Sequence, residues 1–197
     1  MSVPYLVRPE SIHHVGRGAL SRSLERQVVA LCARSAPHRI EALALDRGAP
    51  ESLEALLDAT RGLARPDDET PGSIVDASGR LIGERLPVWS GASDRTIWSR
   101  PEVNYLFRAW HDSHHILLSA GFDPRGELAV ADHADTLIKG RAERAILRAE
   151  VWGQVAYHVL HGVFPDDQRG FVRDCIRRGL DETIRSGLYH RVGGMKP

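Results

Sequence analysis

The stretch Ser99–His115, SRPEVNYLFRAWHDSHH, decides the fold that the sequence predicts. Its first residues form a capping box, in which Ser99 and Glu102 flank a proline, and this arrangement is typical of a helix start. Apolar residues then recur at helical spacing. Because the next glycine is Gly121, the pattern predicts a helix from Ser99 to about Ala120.

After Gly121, apolar residues again recur at helical spacing, and a glycine follows each of the next helical segments. This pattern predicts a helical bundle-like C-terminal half. The predicted helices are 125–138, 141–161, one that begins with Asp166 as its cap and runs to about Arg178, and a short tail helix from Asp181.

The sequence of the N-terminal half indicates less regular structure than that of the C-terminal half. We expect the whole chain to be mainly α. Residues 1–17 look like an irregular arm, helices are predicted over 19–34 and 51–63, and 37–48 stay ambiguous. The polar stretch 66–72 is the best boundary. We therefore divide the chain into an N-terminal helical segment (1–70), a β-hairpin or irregular section (71–98) and a helical domain (99–197), which together form one compact domain.

The composition excludes several classes of protein. The 197 residues include 26 basic and 26 acidic ones, so no broad surface for nucleic acid is indicated. Two distant cysteines, Cys32 and Cys175, do not make a disulfide framework or a zinc knuckle. No signal peptide and no apolar run of membrane-spanning length is recognisable. We expect a cytoplasmic protein without a membrane partner.

Histidine is unusually frequent, and two histidines have the spacing of metal ligands. His111 and His115 are four residues apart, so they share one face of the predicted helix. Phe107 and Leu118 flank that face, which indicates that it points inward. Glu150 on the third predicted helix would supply a carboxylate. His111, His115 and Glu150 are therefore the predicted metal ligands, a set that suits Fe, Zn or Mn with open coordination positions.

Four more polar residues are candidates for catalytic roles. Asp112 could orient a histidine or act as a base, and Glu127 and His158 are alternative ligands or acid–base groups. Gln154 could hydrogen-bond a ligand or a bound water. Each also has a plainer explanation, since Glu127 could merely favour the helix dipole and the others could face solvent.

The C-terminal half resembles an uncharacterised group of phage and proteobacterial proteins. That group's pattern is FR-x-x-HD-x-x-H, then F-x-x-x-GE, then E-x-x-GQ, then FP-x-x-Q. The resemblance covers about residues 98–170 and implies no activity. The matching residues here are Phe107-Arg108, His111-Asp112, His115, Phe122, Gly126-Glu127, Glu150, Gly153-Gln154 and Phe164-Pro165 with Gln168.

Two better-known families are similar at lower resolution. Pterin-dependent aromatic amino acid hydroxylases hold iron with two histidines and a later helical glutamate, the order of His111, His115 and Glu150 here, although their histidines are five residues apart. HD phosphohydrolases use an adjacent pair like His111-Asp112, together with a further histidine and aspartate. The first resemblance implies oxidative chemistry and the second implies hydrolysis.

Two functions from different classes remain as hypotheses. The first is a metal-dependent enzyme, either a hydrolase or a non-haem iron oxygenase, that acts on a small-molecule or nucleotide-like substrate. The second is a non-enzymatic phage or regulatory binding protein with a buried His/Glu/Gln network or a structural metal. An arginine stripe at residues 169, 173 and 177 leaves a nucleic-acid partner as a third reading, and a homo-oligomer stays open.

Overall fold

Helices make up most of the described chain, so the predicted mainly α fold is confirmed. The computed structural model describes residues 5–7, 18–34, 41–45, 48, 51–52, 54–55 and 85–189. Its helices are α1 (Arg22–Arg34), α2 (Pro101–Leu118), α3 (Pro124–Leu137), α4 (Arg141–Arg148), α5 (Gln154–His161), α6 (Gln168–Arg178) and α7 (Leu180–Ser186). A π-helical turn, Ala149–Gly153, joins α4 to α5.

The helix ends show where local sequence signals compete. Arg100 occupies the N-cap position of α2 and no side chain caps the helix, so the predicted capping box is wrong. The Ser99 hydroxyl donates instead to the Glu25 carboxylate of α1. In α3, the Asp123 carboxylate accepts from the backbone N–H groups of residues 125 and 126. Asp167, one residue after the predicted Asp166, caps α6.

A small sheet covers part of the helical body. Its strands β1 (Tyr5–Val7), β2 (Glu41–Leu45) and β3 (Arg85–Trp89) lie in the order β1-β2-β3. β2 is antiparallel to β1 and parallel to β3, with Ala42 opposite Leu86. The ambiguous stretch 37–48 thus contains a strand, and part of the predicted arm is another. Of the predicted β-hairpin or irregular section (71–98), residues 71–84 lie outside the described residues and the rest contains β3. Most of the helix predicted over 51–63 also lies outside them.

The core lies around α2, which is buried along most of its length. α2 packs against α1, α3 and all three strands. Trp110 and Leu106 of α2 are among the largest fully buried side chains, together with Leu24 of α1 and Tyr157 of α5. The two cysteines are buried and free. Across the described ranges, the helices are too short or too polar to cross a membrane.

The π-helical turn lies where α5 meets the last two helices. It keeps residues 141–161 as one continuous helical run, as the sequence predicts, but its i→i+5 hydrogen bonds change the side-chain phase within the run. A Cβ atom on Gly153 would lie 2.9 Å from the Leu180 side chain and 3.3 Å from the Phe171 ring. The glycine therefore lets the turn pack closely against α6 and α7.

Glu25 fixes the start of α2, and its removal should destabilise the fold. The Glu25 side chain is fully buried and accepts from the Ser99 N–H at 2.7 Å and the Ser99 hydroxyl at 2.8 Å. We expect Glu25→Ala to lower the free energy of unfolding by about 2–4 kcal/mol, because two hydrogen bonds to a charged group are lost.

Urea denaturation measures that change, with Glu102→Ala as the matched control. Glu102 lies in the first turn of α2, but its side chain is 46% exposed and its ion pair with Arg100 is 4.0 Å long. Its loss should cost less than about 0.5 kcal/mol. Equal losses in the two variants would show that the buried Glu25 contact does not hold α1 to α2.

Candidate metal centre

The site lies where α2 ends and α3 begins. The last residue before the connecting loop, Ser119, adopts a left-handed conformation with φ of 50° and so turns the chain back. A Cβ atom on Gly126 would lie only 1.8 Å from the carbonyl oxygen of Gly121. Only glycine permits this approach. It sets the first turn of α3 against the end of α2 and so brings Glu127 to His111 and His115.

Three ligand atoms form a nearly regular triangle. The Nε2 atoms of His111 and His115 are 3.3 Å apart, and Glu127 Oε2 lies 3.1 Å from the first and 3.5 Å from the second. A tetrahedral zinc ion bound at about 2.0–2.1 Å holds its ligand atoms about 3.3–3.4 Å apart. The triangle therefore has the dimensions of one face of such a coordination sphere, with the fourth position open.

The outer ring nitrogens of both histidines have partners of the kind that metal ligands use. His111 Nδ1 lies 3.2 Å from the Asp112 carboxylate, and His115 Nδ1 lies 3.1 Å from the Ala120 carbonyl. With a metal ion at the centre of the triangle, each Nδ1 would donate its hydrogen to these oxygens and each Nε2 lone pair would face the ion. Such outer partners fix the tautomer and the ring orientation of metal-binding histidines.

The site is almost entirely buried. The side chain of His115 is fully buried, whereas that of His111 is 16% exposed and that of Glu127 is 10% exposed. The Phe122 ring packs on His115 with centroids 4.3 Å apart. Solvent therefore contacts the triangle through the side chains of His111 and Glu127 and not through His115.

Opposite charges in the triangle shift the pKa values of His111 and Glu127 so that both groups favour their charged forms. Burial acts to lower the pKa of His111, but the carboxylates of Glu127 and Asp112 outweigh it and raise that pKa well above its usual range. Burial likewise acts to raise the pKa of Glu127, but His111 and His115 hold it well below its usual range. The arrangement can thus hold either a divalent cation or, without one, a proton on His111 between two carboxylates.

Glu150, predicted as the carboxylate ligand, lies outside the triangle, and Glu127 occupies that corner. Glu150 extends from the π-helical turn and is 7% exposed. The Gln154 side chain hydrogen-bonds one part of the carboxyl group, while Oε2 has no hydrogen-bond partner. Burial raises the pKa of Glu150 to about 7, against the opposing charges of Arg108 and His111. Glu150 is therefore a buried, half-satisfied carboxyl group that lies close enough to Arg108 and His111 for their charges to act on it.

The other predicted residues divide between the site and its surroundings. Asp112 and Gln154 are buried and lie beside it, as partners of His111 and Glu150. His158 is not part of the triangle. Its ring stacks on Phe164 with centroids 4.4 Å apart, and its Nδ1 atom is buried without a hydrogen-bond partner.

Sequence reasoning overlooked Arg108. Its guanidinium donates from Nη1 to the carbonyls of Trp89 and Gly91, the latter at 2.8 Å, and lies 5.2 Å from the centre of the Trp89 ring. Burial lowers the pKa of this side chain, while Asp112 and Glu150 act in the opposite direction. The available signal was its spacing, because Arg108, His111 and His115 follow one another on one helical stripe.

Comparisons with known proteins find no relative of this chain. No protein-family model, curated protein or solved structure matches the chain. What can be inferred of its chemistry therefore comes from the site itself.

The raised pKa of Glu150 predicts a pH-dependent stability. An unfolded glutamate ionises near pH 4.5, but folded Glu150 keeps its proton until about pH 7. The folded state therefore binds more protons in this window, and stability should fall as the pH rises through it. Glu150→Gln cannot ionise, so its advantage over the wild type should grow by up to about 3 kcal/mol between these pH values.

Urea denaturation in EDTA, at several pH values from 4.5 to 7.5, measures this difference. Glu143→Gln on the preceding helix α4 is the matched control, because Glu143 is partly exposed. It removes a carboxyl group from the same helical run without touching the site. A difference between Glu150→Gln and the wild type that does not change with pH would mean that the Glu150 carboxyl group ionises in the folded protein as it does in water.

Proposed function

We propose that the protein binds one divalent transition-metal ion through His111, His115 and Glu127 and acts as a metal-dependent hydrolase. The triangle of Nε2, Nε2 and Oε2 atoms, with both Nδ1 atoms already paired, carries the proposal. Three protein ligands leave a position for water, and a bound divalent ion makes that water acidic enough to supply hydroxide near neutral pH.

Glu150 is the proposed general base. Its Oε2 atom is buried without a hydrogen-bond partner, and its charge interacts with that of His111. Burial raises the pKa of this carboxyl group, which suits a group that must both accept and return a proton near neutral pH. Gln154 would orient Glu150 through their hydrogen bond, and Asp112 would orient His111. In this proposal Glu127 is the ligand, and Glu150, first predicted as the ligand, is the base.

Oxidative chemistry is the other activity that this ligand set permits, because two histidines and a carboxylate also hold iron(II) in oxygenases. The tetrahedral spacing of the triangle favours zinc and hydrolysis. The identity of the metal recovered with the protein separates the two, since zinc supports a hydrolase and stoichiometric iron would redirect the proposal to oxidation.

A non-enzymatic role is the second candidate, and one observation favours it. His111 lies between the Asp112 and Glu127 carboxylates, at 3.2 Å and 3.1 Å, so a protonated imidazole would satisfy both without any metal. Such a network would fix the packing of α2 against α3 and would serve a binding protein as well as an enzyme.

Metal content tests the site. Protein purified without a chelating tag should hold about one equivalent of metal, or take it up when zinc is added, because the three ligands are preassembled. His115→Ala and Glu127→Ala should each lose it. His133→Ala is the matched control, since His133 lies on α3 outside the triangle and should bind metal as the wild type does.

No metal in the wild type, and none taken up on addition, would reject the metal site. Histidine NMR would then show a protonated His111, as the second candidate requires. Metal retained by Glu127→Ala but lost in Glu150→Ala would instead restore Glu150 as the carboxylate ligand.

Activity tests the base. The zinc-loaded protein should hydrolyse at least one member of a panel of chromogenic phosphate and carboxylate esters. Glu150→Gln should lower kcat about a hundredfold or more, because proton transfer by a placed base contributes that much. Its metal content should not change. A variant with full activity would show that Glu150 takes no part in proton transfer.

A further inference from the structure

We propose that the substrate of this site carries an oxoanion group, a phosphate or a carboxylate, and that Arg108 binds it beside the metal ion. The inference rests on the proposed metal-dependent function of the same site. It adds the chemical class of the substrate and the residue that selects it.

The position of Arg108 is the first support. Arg108 lies three residues before His111 on α2, so the two side chains extend from the same face of the helix. The residue is partly buried, and the charges of Asp112 and Glu150 act on its guanidinium. A molecule bound at the open coordination position would therefore lie near this side chain.

The unused donors of Arg108 are the second support. Nη1 makes both hydrogen bonds of the side chain, to the carbonyls of Trp89 and Gly91. Within the described ranges, Nε and Nη2 have no hydrogen-bond partner, and no ion pair joins Arg108 to a carboxylate. Nε and Nη2 form the side edge of the guanidinium, whose two parallel N–H bonds match two oxygens of a phosphate or a carboxylate.

The rigid setting of the guanidinium is the third support. The Trp89 ring lies against it, and a Cβ atom on Gly91 would be 2.3 Å from that ring, so glycine permits the close packing. Neutral groups thus hold the arginine in place. Asp112 and Glu150 act on it through space but do not pair with it, and Asp112 Oδ1 contacts His111. The positive charge remains available to a ligand.

The charge arrangement fits an anion better than a neutral molecule. A divalent ion and Arg108 together carry more charge than the carboxylates of Glu127 and Asp112, so the site keeps a net positive charge while Glu150 is protonated. An anionic group would balance this charge at a partly desolvated place, where charge-assisted hydrogen bonds are strong. Held at Arg108, it would orient the rest of the substrate toward the metal-bound water.

Cobalt(II) makes the inference measurable without the natural substrate. The full chain is loaded with cobalt(II), whose visible absorption responds to ligands in the open position, and is titrated with inorganic phosphate and separately with acetate. We expect saturable binding of at least one of them to the wild type. Arg108→Gln should weaken that binding by about tenfold or more, and Arg108→Lys by less, because one or two hydrogen bonds to a charged group are lost.

Arg173→Gln is the matched control, since Arg173 is exposed on α6. It should bind both anions as the wild type does. If Arg108→Gln does not fold, Arg108→Lys is measured in its place, because lysine keeps the charge but lacks the two parallel N–H donors of the guanidinium. A purely structural Arg108 would change the melting temperature of the variants and leave their anion affinity unchanged.

The outcomes separate the two proposals. Failure of the wild type to bind cobalt would reject the metal site and this inference with it. Normal cobalt binding, with anion affinities that are equal in the wild type and both Arg108 variants or with no binding of either anion, would overturn this inference alone. Tighter phosphate binding would identify a phosphate ester as the substrate class, and tighter acetate binding would identify a carboxylate.

Discussion

The contact between the first turn of α3 and the loop after α2 determines the geometry of the whole site. The backbone of Gly126 reaches the Gly121 carbonyl so closely that no side chain fits between them. This contact sets the distance between two helices at the level of the backbone, where side-chain rotation cannot relax it. Glu127, the next residue, therefore reaches both histidines at ligand distance. A one-residue shift of α3 would remove the carboxylate from the triangle.

The rest of the molecule holds α2 in a fixed position. Glu25 of α1 anchors its start, and the sheet packs against it mainly through β2 and β3. Arg108, His111 and His115 therefore keep fixed positions, because the helix that carries them is buried along most of its length. The π-helical turn carries Glu150, whose carboxyl group lies close enough to His111 for their charges to interact. Such turns are rare and are frequently found at functional sites, which agrees with an unpaired carboxyl oxygen beside a histidine pair.

The C-terminal helices could be predicted to within a few residues, because their apolar period and their end signals are local. β1 and β2 could not, since a short strand is defined by partners far away in the chain. The spacing of His111 and His115 on one helix was enough to predict that they form a pair. The sequence did not predict which glutamate lies beside them, because the choice between Glu127 and Glu150 depends on how the helices pack and on a π-helical turn that has no local sequence signal. Whether either residue binds metal stays a prediction.

The three ligands lie close together in the sequence as well as in space, within the 17 residues from His111 to Glu127. Closing so short a loop costs little chain entropy, and contacts between such near neighbours form early in folding. An ion bound there would clamp α2 to α3 as a helical hairpin before the sheet and the later helices assemble. The metal would then act on the rate at which the chain folds, in addition to any chemistry in the finished protein.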